Sequence, residues 1–195
     1  MRISGKTVSV VIGSWLLAAA AVQAAEFAID PYHSSVSFRI KHVVGKVSGH
    51  FDKFSGAFSY DAAKSASWTA AATIEAASIN TGIEKRDTHL RTADFFDVQK
   101  FPTLAFKSTS VTDVQGNKAK LHGDLTMHGV TKPVVLDLEI AGTAKDPMGP
   151  GQRAGATATG HVNRLDYGIG AALGAMASMV GNDVEISIEV EGVSK

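Results

Sequence analysis

Residues 77–108 read ASINTGIEKRDTHLRTADFFDVQKFPTLAFKS, and they join two strand-like segments through one short helix-like element. Thr81 and Glu84 have the T-x-x-E spacing of a capping box, which predicts a short helix over about residues 82–96. Pro102 ends any such helix, because it lacks an amide donor and pushes the preceding residue out of helical space. The stretch is therefore predicted to be a helical crossover between strands, and it contains no obvious nucleophile or metal-binding cluster.

Alternation of apolar and polar residues marks the strands on both sides of this crossover. Residues 183–191 alternate strictly between aliphatic and polar side chains, which predicts one buried and one solvent-exposed face. Seven more segments show the same pattern, and the last of them is weaker and rich in Ala, Thr and Gly. These segments are residues 35–42, 54–60 and 68–74, a strand that begins at Leu104, and residues 121–127, 134–140 and 154–162.

The links between these segments favour antiparallel neighbours. Short turn-like links at residues 115–117 and 128–132 join consecutive strands, and the strand–helix–strand repeat of a parallel sheet does not occur. About eight one-sided strands in one domain predict an all-β fold, either a sandwich or a closed barrel. An apolar, Gly- and Ala-rich stretch outside the alternation predicts a second short helix over about residues 171–180.

The N-terminus has the pattern of a secretory signal peptide. Arg2 and Lys6 precede an apolar run over residues 8–22, and small residues follow that run. We therefore expect a signal peptide at residues 1–24 and one domain at residues 25–195. Because no second run of spanning length follows, we expect the mature protein to be soluble rather than membrane-spanning, and to lie in the periplasm or outside the cell.

Composition excludes several classes of function. The chain has no cysteine, which rules out disulfides, thiol chemistry and an acylated cysteine anchor. Removal of Arg2 and Lys6 leaves two more acidic than basic residues, with no basic block, so we expect no nucleic-acid partner.

The sequence has no recognisable motif for catalysis or metal binding. The seven histidines are scattered, and H-E-x-x-H, G-x-S-x-G and phosphate-binding loops are all missing. We therefore expect no metal, no catalytic residue and structural roles for the histidines. Asp87, His89, Asp94 and Asp97 could be imagined as an acid–base group, but a solvated helix face with an Asp87–Arg91 pair is the preferred interpretation.

Five motifs occur in a fixed order and cover essentially the whole predicted mature chain. They are His33-Ser34-Ser35-Val36-Ser37-Phe38, Asp87-x-His89-Leu90-Arg91, Phe95-Phe96-Asp97-Val98, Gly123-Asp124-Leu125-Thr126-Met127-His128-Gly129 and Asn163-Arg164-Leu165-Asp166-Tyr167-Gly168. In this order they resemble the YceI-like family, periplasmic polyisoprenoid-binding proteins of lipocalin-like architecture. The resemblance implies an eight-stranded antiparallel β-barrel that holds a polyisoprenoid or another long amphiphile, and it implies no catalytic residues.

The primary hypothesis is a periplasmic binding protein, not an enzyme, that sequesters or carries a polyisoprenoid-like lipid. Apolar lining and length would supply the binding free energy, and a few polar groups at the barrel mouth would hold the head group. The residues predicted to face the barrel interior are Phe38, Ile40, Phe58, Trp68, Ile74, Phe106, Leu125, Leu136, Leu138, Ile186 and Ile188.

Two smaller sets are predicted at the mouth of the barrel. Phe95, Phe96, Met176 and Met179 are candidates for the mouth or a lid, since methionine adapts to varied apolar partners. Lys85, His89 and Arg91 are candidates for contact with a phosphate or quinone head group.

Two alternatives from other classes stay open. The barrel could hold a quinone and serve a membrane cytochrome as a redox accessory, or it could be an enzyme acting on an isoprenoid. No cofactor is expected apart from a bound polyisoprenoid or quinone. A homodimer is also left open.

Overall fold

Eleven strands pair into one antiparallel sheet within residues 24–194, the part of the chain that the computed structural model describes. The predicted signal peptide, up to residue 23, lies outside the described residues. The strands are β1 (Ala25–Ile29), β2 (Ser35–His42), β3 (Gly45–Phe51), β4 (Phe54–Tyr60), β5 (Thr69–Glu75), β6 (Ile79–Asn80), β7 (Thr103–Gln115), β8 (Lys118–Met127), β9 (Val130–Lys145), β10 (Gln152–Asn163) and β11 (Val180–Val193).

Three pairs of these strands each act as one long strand with a short kink. β1 and β2 follow one another along β11 and both pair with it. On the other side, β1 pairs with β4 and β2 pairs with β3. In the next step around the barrel, β4 pairs with β5 and β3 pairs with β6. Counted in this way, eight strands follow one another around the barrel in chain order, and the first pairs with the last. The predicted eight-stranded antiparallel barrel is therefore confirmed. β1, β3 and β6 are segments that the sequence pattern did not predict.

The alternation of residue types sets which face of each strand is buried. In β8, Ala119, Leu121, Gly123, Leu125 and Met127 are buried, and the residues between them are more exposed. Successive side chains of a strand point to opposite faces, so one apolar row per strand enters the barrel interior.

The connections divide the barrel into two ends that differ in structure. We call the end that carries the helical segments the helix end, and the other the loop end. The helix end holds residues 42–45, 81–102, 127–130 and 163–180. The loop end holds residues 60–69, 115–118 and 145–152.

The crossover contains an α-helix, α1, that spans Glu84–Leu90 and is shorter than the predicted residues 82–96. Turns replace the helix beyond Leu90. The predicted capping box is wrong: Ile83 precedes the helix without a side-chain cap, and Thr81 hydrogen-bonds to Asp87 instead of capping the helix.

The second helical segment, Ala171–Met179, consists of 3₁₀ turns rather than an α-helix. Gly174 interrupts it with a φ of 55° and a ψ of −128°, a conformation outside helical space. The predicted location is correct, but glycine splits the segment into two short pieces. Three shorter 3₁₀ turns lie at Ser65–Ser67, Ala76–Ser78 and Arg164–Tyr167.

A charged cluster joins β1, β10 and β11 near the seam where the barrel closes. Arg153 donates from Nη1 to Asp30 at 3.2 Å and to Glu191, and from Nε to Asp146 at 3.0 Å. His33 Nδ1 lies 2.8 Å from Asp30 Oδ2. The guanidinium of Arg153 on β10 therefore ties together β11, the residue that follows β1, and the connection between β9 and β10.

The carboxylates of this cluster should make stability depend on pH. The His33 contact lowers the pKa of Asp30, as does Arg153, and the Met148 amide and Arg153 lower the pKa of Asp146. A carboxyl with a lowered folded-state pKa stabilises the fold above its unfolded value near ~3.9, and this contribution is lost as pH falls through the folded value.

We expect Arg153→Met to lower Tm at neutral pH, because two partly buried carboxylates lose their guanidinium donor. The Tm difference from wild type should shrink below about pH 4, as these carboxyls become protonated. Thermal unfolding followed by circular dichroism across this pH range measures both effects. Lys120→Met, which removes an exposed ion pair with Asp137, is the matched control and should change Tm little.

Candidate functional site

A continuous cavity of about 450 Å³ runs through the barrel from the helix end to the loop end. Within residues 24–194, no Asp or Glu side chain lines it, and its surface is almost wholly apolar. Its volume falls in the range of ~300–1,000 Å³ that is typical of ligand pockets. At the loop end, the rings of Tyr60 and Trp68 pack with centroids 5.0 Å apart and form an apolar floor.

The predicted interior residues all line this cavity. The set comprises Phe38, Ile40, Phe58, Trp68, Ile74, Phe106, Leu125, Leu136, Leu138, Ile186 and Ile188. The four residues predicted at the mouth, Phe95, Phe96, Met176 and Met179, line it at the helix end. Their contact with a ligand stays a prediction.

Glycines in the wall leave room for the large rings inside the barrel. A Cβ on Gly123 would lie 2.4 Å from the ring of Phe106, and a Cβ on Gly49 would lie 2.5 Å from the ring of Phe38. Each phenyl ring therefore packs directly over a glycine of the neighbouring strand.

A buried carboxylate fixes the local structure of the crossover at the helix end. Asp87 is 3% exposed and accepts hydrogen bonds from the Thr81 amide at 3.0 and 3.1 Å and from the Thr81 hydroxyl. The predicted solvated Asp87–Arg91 pair is therefore wrong. Arg91 instead donates to the carbonyl oxygens of Ala77 and Ile79, at 2.9 and 3.1 Å.

The three predicted head-group residues lie in different places. His89 lines the cavity, packs edge-on against Phe95 and contacts Asp94 at 2.8 Å. Lys85 is exposed and Arg91 is bound to the crossover backbone, and neither lines the cavity.

Arg86 lines the cavity, although it is not among the residues predicted from the sequence to contact a head group. Its Nε donates to the Thr81 hydroxyl at 2.6 Å and its Nη2 to the Thr81 carbonyl at 2.8 Å. Within the described residues, Nη1 has no hydrogen-bond partner and Arg86 has no carboxylate partner. The helical period could have found this residue, because Arg86, His89 and Leu90 share one helix face and Leu90 is apolar.

Arg164 is a second cavity-lining cation, and it is 3% exposed. It donates to the carbonyl oxygens of Ile169 at 2.8 Å, Gly181 at 2.9 Å and Val180 at 3.2 Å, and to Asn182 Oδ1 at 3.1 Å. Burial lowers its pKa. Neutral acceptors therefore surround this charge, which pins the segment between β10 and β11 over the helix end.

One group of possible metal ligands occurs among residues 24–194, formed by Asp30, His33 and Glu191. Arg153 already donates to both carboxylates. Because the guanidinium satisfies these groups, the arrangement is explained without a metal ion.

Taken together, the fold and the cavity define a closed antiparallel β-barrel with an apolar interior and two arginines at one end. Residues 27–192 match the family model of the YceI-like domain, and the chain belongs to the YceI-like family. A UPF0312 protein of Vibrio cholerae is 39% identical over 178 residues, which cover 90% of each chain. A UPF0312 protein of Shewanella baltica is 40% identical over 190 residues, covering 96% of this chain and 97% of that one.

Solved structures show the same fold. Burkholderia cenocepacia BcnA has a TM-score of 0.77 at 25% identity, covering 84% of this chain and 98% of BcnA. The Campylobacter jejuni YceI protein has a TM-score of 0.69 at 33% identity, covering 76% and 85% of the two chains. A polyisoprenoid-binding domain from Saccharophagus degradans has a TM-score of 0.65 at 17% identity, covering 89% of this chain and all of that domain. Within residues 24–194, none of the helices has the length and apolar character needed to cross a bilayer.

We expect Asp87→Ala to lower the free energy of unfolding by about 2 kcal/mol, because the buried Thr81 donors lose their acceptor. Chemical denaturation measures the change. Asp87→Asn should cost less, since its amide oxygen can still accept from the Thr81 amide. Glu84→Ala, on the exposed side of α1, is the control, and a loss equal to that of Asp87→Ala would contradict the assignment.

Proposed function

We propose that this protein is a periplasmic carrier that binds a long amphiphilic lipid of the polyisoprenoid type inside the barrel. The main support for this proposal is the apolar cavity, which extends between the two ends of the barrel and has no carboxylate in its described lining. The Saccharophagus degradans neighbour, a polyisoprenoid-binding domain, supports an isoprenoid as the lipid class. The N-terminal sequence pattern supports export to the periplasm.

Burial of the lipid tail can supply the affinity without chemistry. Each buried CH₂ contributes ~0.8 kcal/mol, although a long chain loses part of this through ordering. At ~0.3 kcal/mol per heavy atom, a chain of ~40 carbons would reach ~12 kcal/mol, which corresponds to nanomolar affinity.

The distribution of polar groups suggests an orientation for the ligand. The titratable side chains at the helix end of the cavity include Arg86, His89 and Arg164, whereas Tyr60 and Trp68 line the loop end. An anionic or strongly polar head group at the helix end would gain charge-assisted hydrogen bonds, most directly from the unpaired Nη1 of Arg86. The tail would then extend toward the loop end.

Organic extraction of the purified protein, followed by mass spectrometry, tests the proposal. A long prenyl chain would support carriage of an isoprenoid. A quinone would favour the alternative of a redox accessory to a membrane cytochrome. An extract free of lipid would contradict both. Turnover of a prenyl diphosphate that is lost in His89→Ala would favour the enzyme alternative.

We expect Ala158→Phe to reduce the lipid recovered per protein, because Ala158 lines the cavity between Leu138 and Ile188 and a phenyl ring there would obstruct it. The measurement is the same extraction, with thermal unfolding as the check on folding. Thr159→Phe places the same ring on the outer face of the same strand and is the matched control. Equal lipid content in the two variants would place the ligand outside the barrel.

We expect Arg86→Gln to weaken binding of dodecyl phosphate about tenfold, because one charge-assisted hydrogen bond is lost. Binding of dodecanol, which has the same chain and no charge, should change little. Displacement of a fluorescent lipid probe from the barrel measures both affinities.

Lys85→Gln is the matched control for this change. It removes the same charge from the adjacent residue of α1, but Lys85 does not line the cavity. If Lys85→Gln weakened dodecyl phosphate binding as much as Arg86→Gln, long-range charge rather than contact at the cavity would explain the effect.

A further inference from the structure

Exposed apolar residues concentrate in two neighbouring segments of the helix end. Val43 and Val44 form the turn between β2 and β3, and Met176 and Met179 lie in the 3₁₀ segment before β11. Val44 is 99% exposed and Met176 is 53% exposed. We call these four residues the mouth patch.

The two segments of the mouth patch are joined to each other and to the cavity. The amide of Val43 donates to the carbonyl oxygen of Met179 at 2.9 Å. Met176 and Met179 also line the cavity, so apolar surface continues from the barrel interior to the outside at this point. Val44 belongs to the exposed part of the patch and does not line the cavity.

The surroundings of the patch are compatible with a lipid surface. None of residues 168–181 carries a charged side chain, so no charge interrupts this part of the rim. Lys41 is exposed beside the turn between β2 and β3, where it can reach anionic lipid head groups, whereas Lys46 on the other side of the turn is paired with Glu185. At the loop end, Met148 is 85% exposed, but none of residues 145–152, which form its loop, lines the cavity.

We propose that the mouth patch docks on the surface of a lipid bilayer and opens the cavity directly toward it. This inference rests on the proposed function, because an apolar tail that left a membrane through water would expose its whole length. A patch continuous with the cavity lets the tail pass from the bilayer into the barrel without that exposure. The partner of the mouth patch is thus the bilayer that supplies or receives the ligand.

Flotation of the full chain with vesicles of phosphatidylcholine and phosphatidylglycerol tests this docking surface. Val44→Asp should weaken vesicle binding about tenfold, because it removes apolar surface that docking would bury and adds a charge that docking would desolvate. Met148→Asp makes the same kind of change at the loop end and should bind as the wild type does. All three forms share the same N-terminus, so any contribution of residues 8–22 is common to them.

Lipid extraction from the same three preparations separates docking from ligand binding. Val44→Asp should retain as much lipid as the wild type, since Val44 does not line the cavity. A wild-type protein that carries lipid but fails to float, or a Val44→Asp variant that floats equally well, would overturn the docking surface and leave the proposed function intact. A lipid-free wild-type extract would overturn the proposed function, and flotation would still decide the docking surface.

Sedimentation of the same variants tests a different occupant of the patch. A wild-type dimer that dissociates in Val44→Asp and not in Met148→Asp would make the patch an interface between two copies of this chain. That result would overturn the bilayer assignment. An unchanged sedimentation coefficient together with lost flotation would support it.

Discussion

Closure of the sheet on itself is the constraint on which the rest of this structure depends. β1 pairs with β4 on one side and with β11 on the other, so the backbone groups at this seam find partners within the barrel. Gly192 of β11 lies at the seam, where a Cβ would come within 2.6 Å of the Phe58 ring and 2.8 Å of Phe27. The missing side chain leaves space in which the rings of Phe27 and Phe58 stack at 5.3 Å.

The cavity is a consequence of closure combined with the size of the inward-facing residues. An eight-stranded barrel is just wide enough to be filled by side chains or to hold one ligand, so residue volume decides between the two. Here Ala70, Ala72, Ala156 and Ala158 line the interior together with the larger aliphatic and aromatic residues. These small side chains leave the space that larger ones would fill.

Arg86, Asp87 and Arg164 at the helix end are held by neutral donors and acceptors rather than by opposite charges. Thr81 connects two of them, since it donates to the buried Asp87 and accepts from Arg86. Arg164 is surrounded by carbonyl oxygens and one side-chain amide. The same contacts therefore hold the end segments in place and keep positive charge at the cavity mouth, where a polar head group would lie.

The sequence by itself determined eight of the eleven strands and the apolar side chains that line the barrel, because alternation with a period of two is a local property that burial of one face imposes. The strands β1, β3 and β6 became apparent only from their pairing in the closed sheet. The sequence also located the crossover and the segment around residues 171–180. It did not reveal that Asp87 is buried, that Arg86 rather than Lys85 reaches the cavity, or that Arg164 pins the connection before β11. These features depend on where a helix and a loop pack on the closed barrel, and contacts between distant segments of the chain decide that placement.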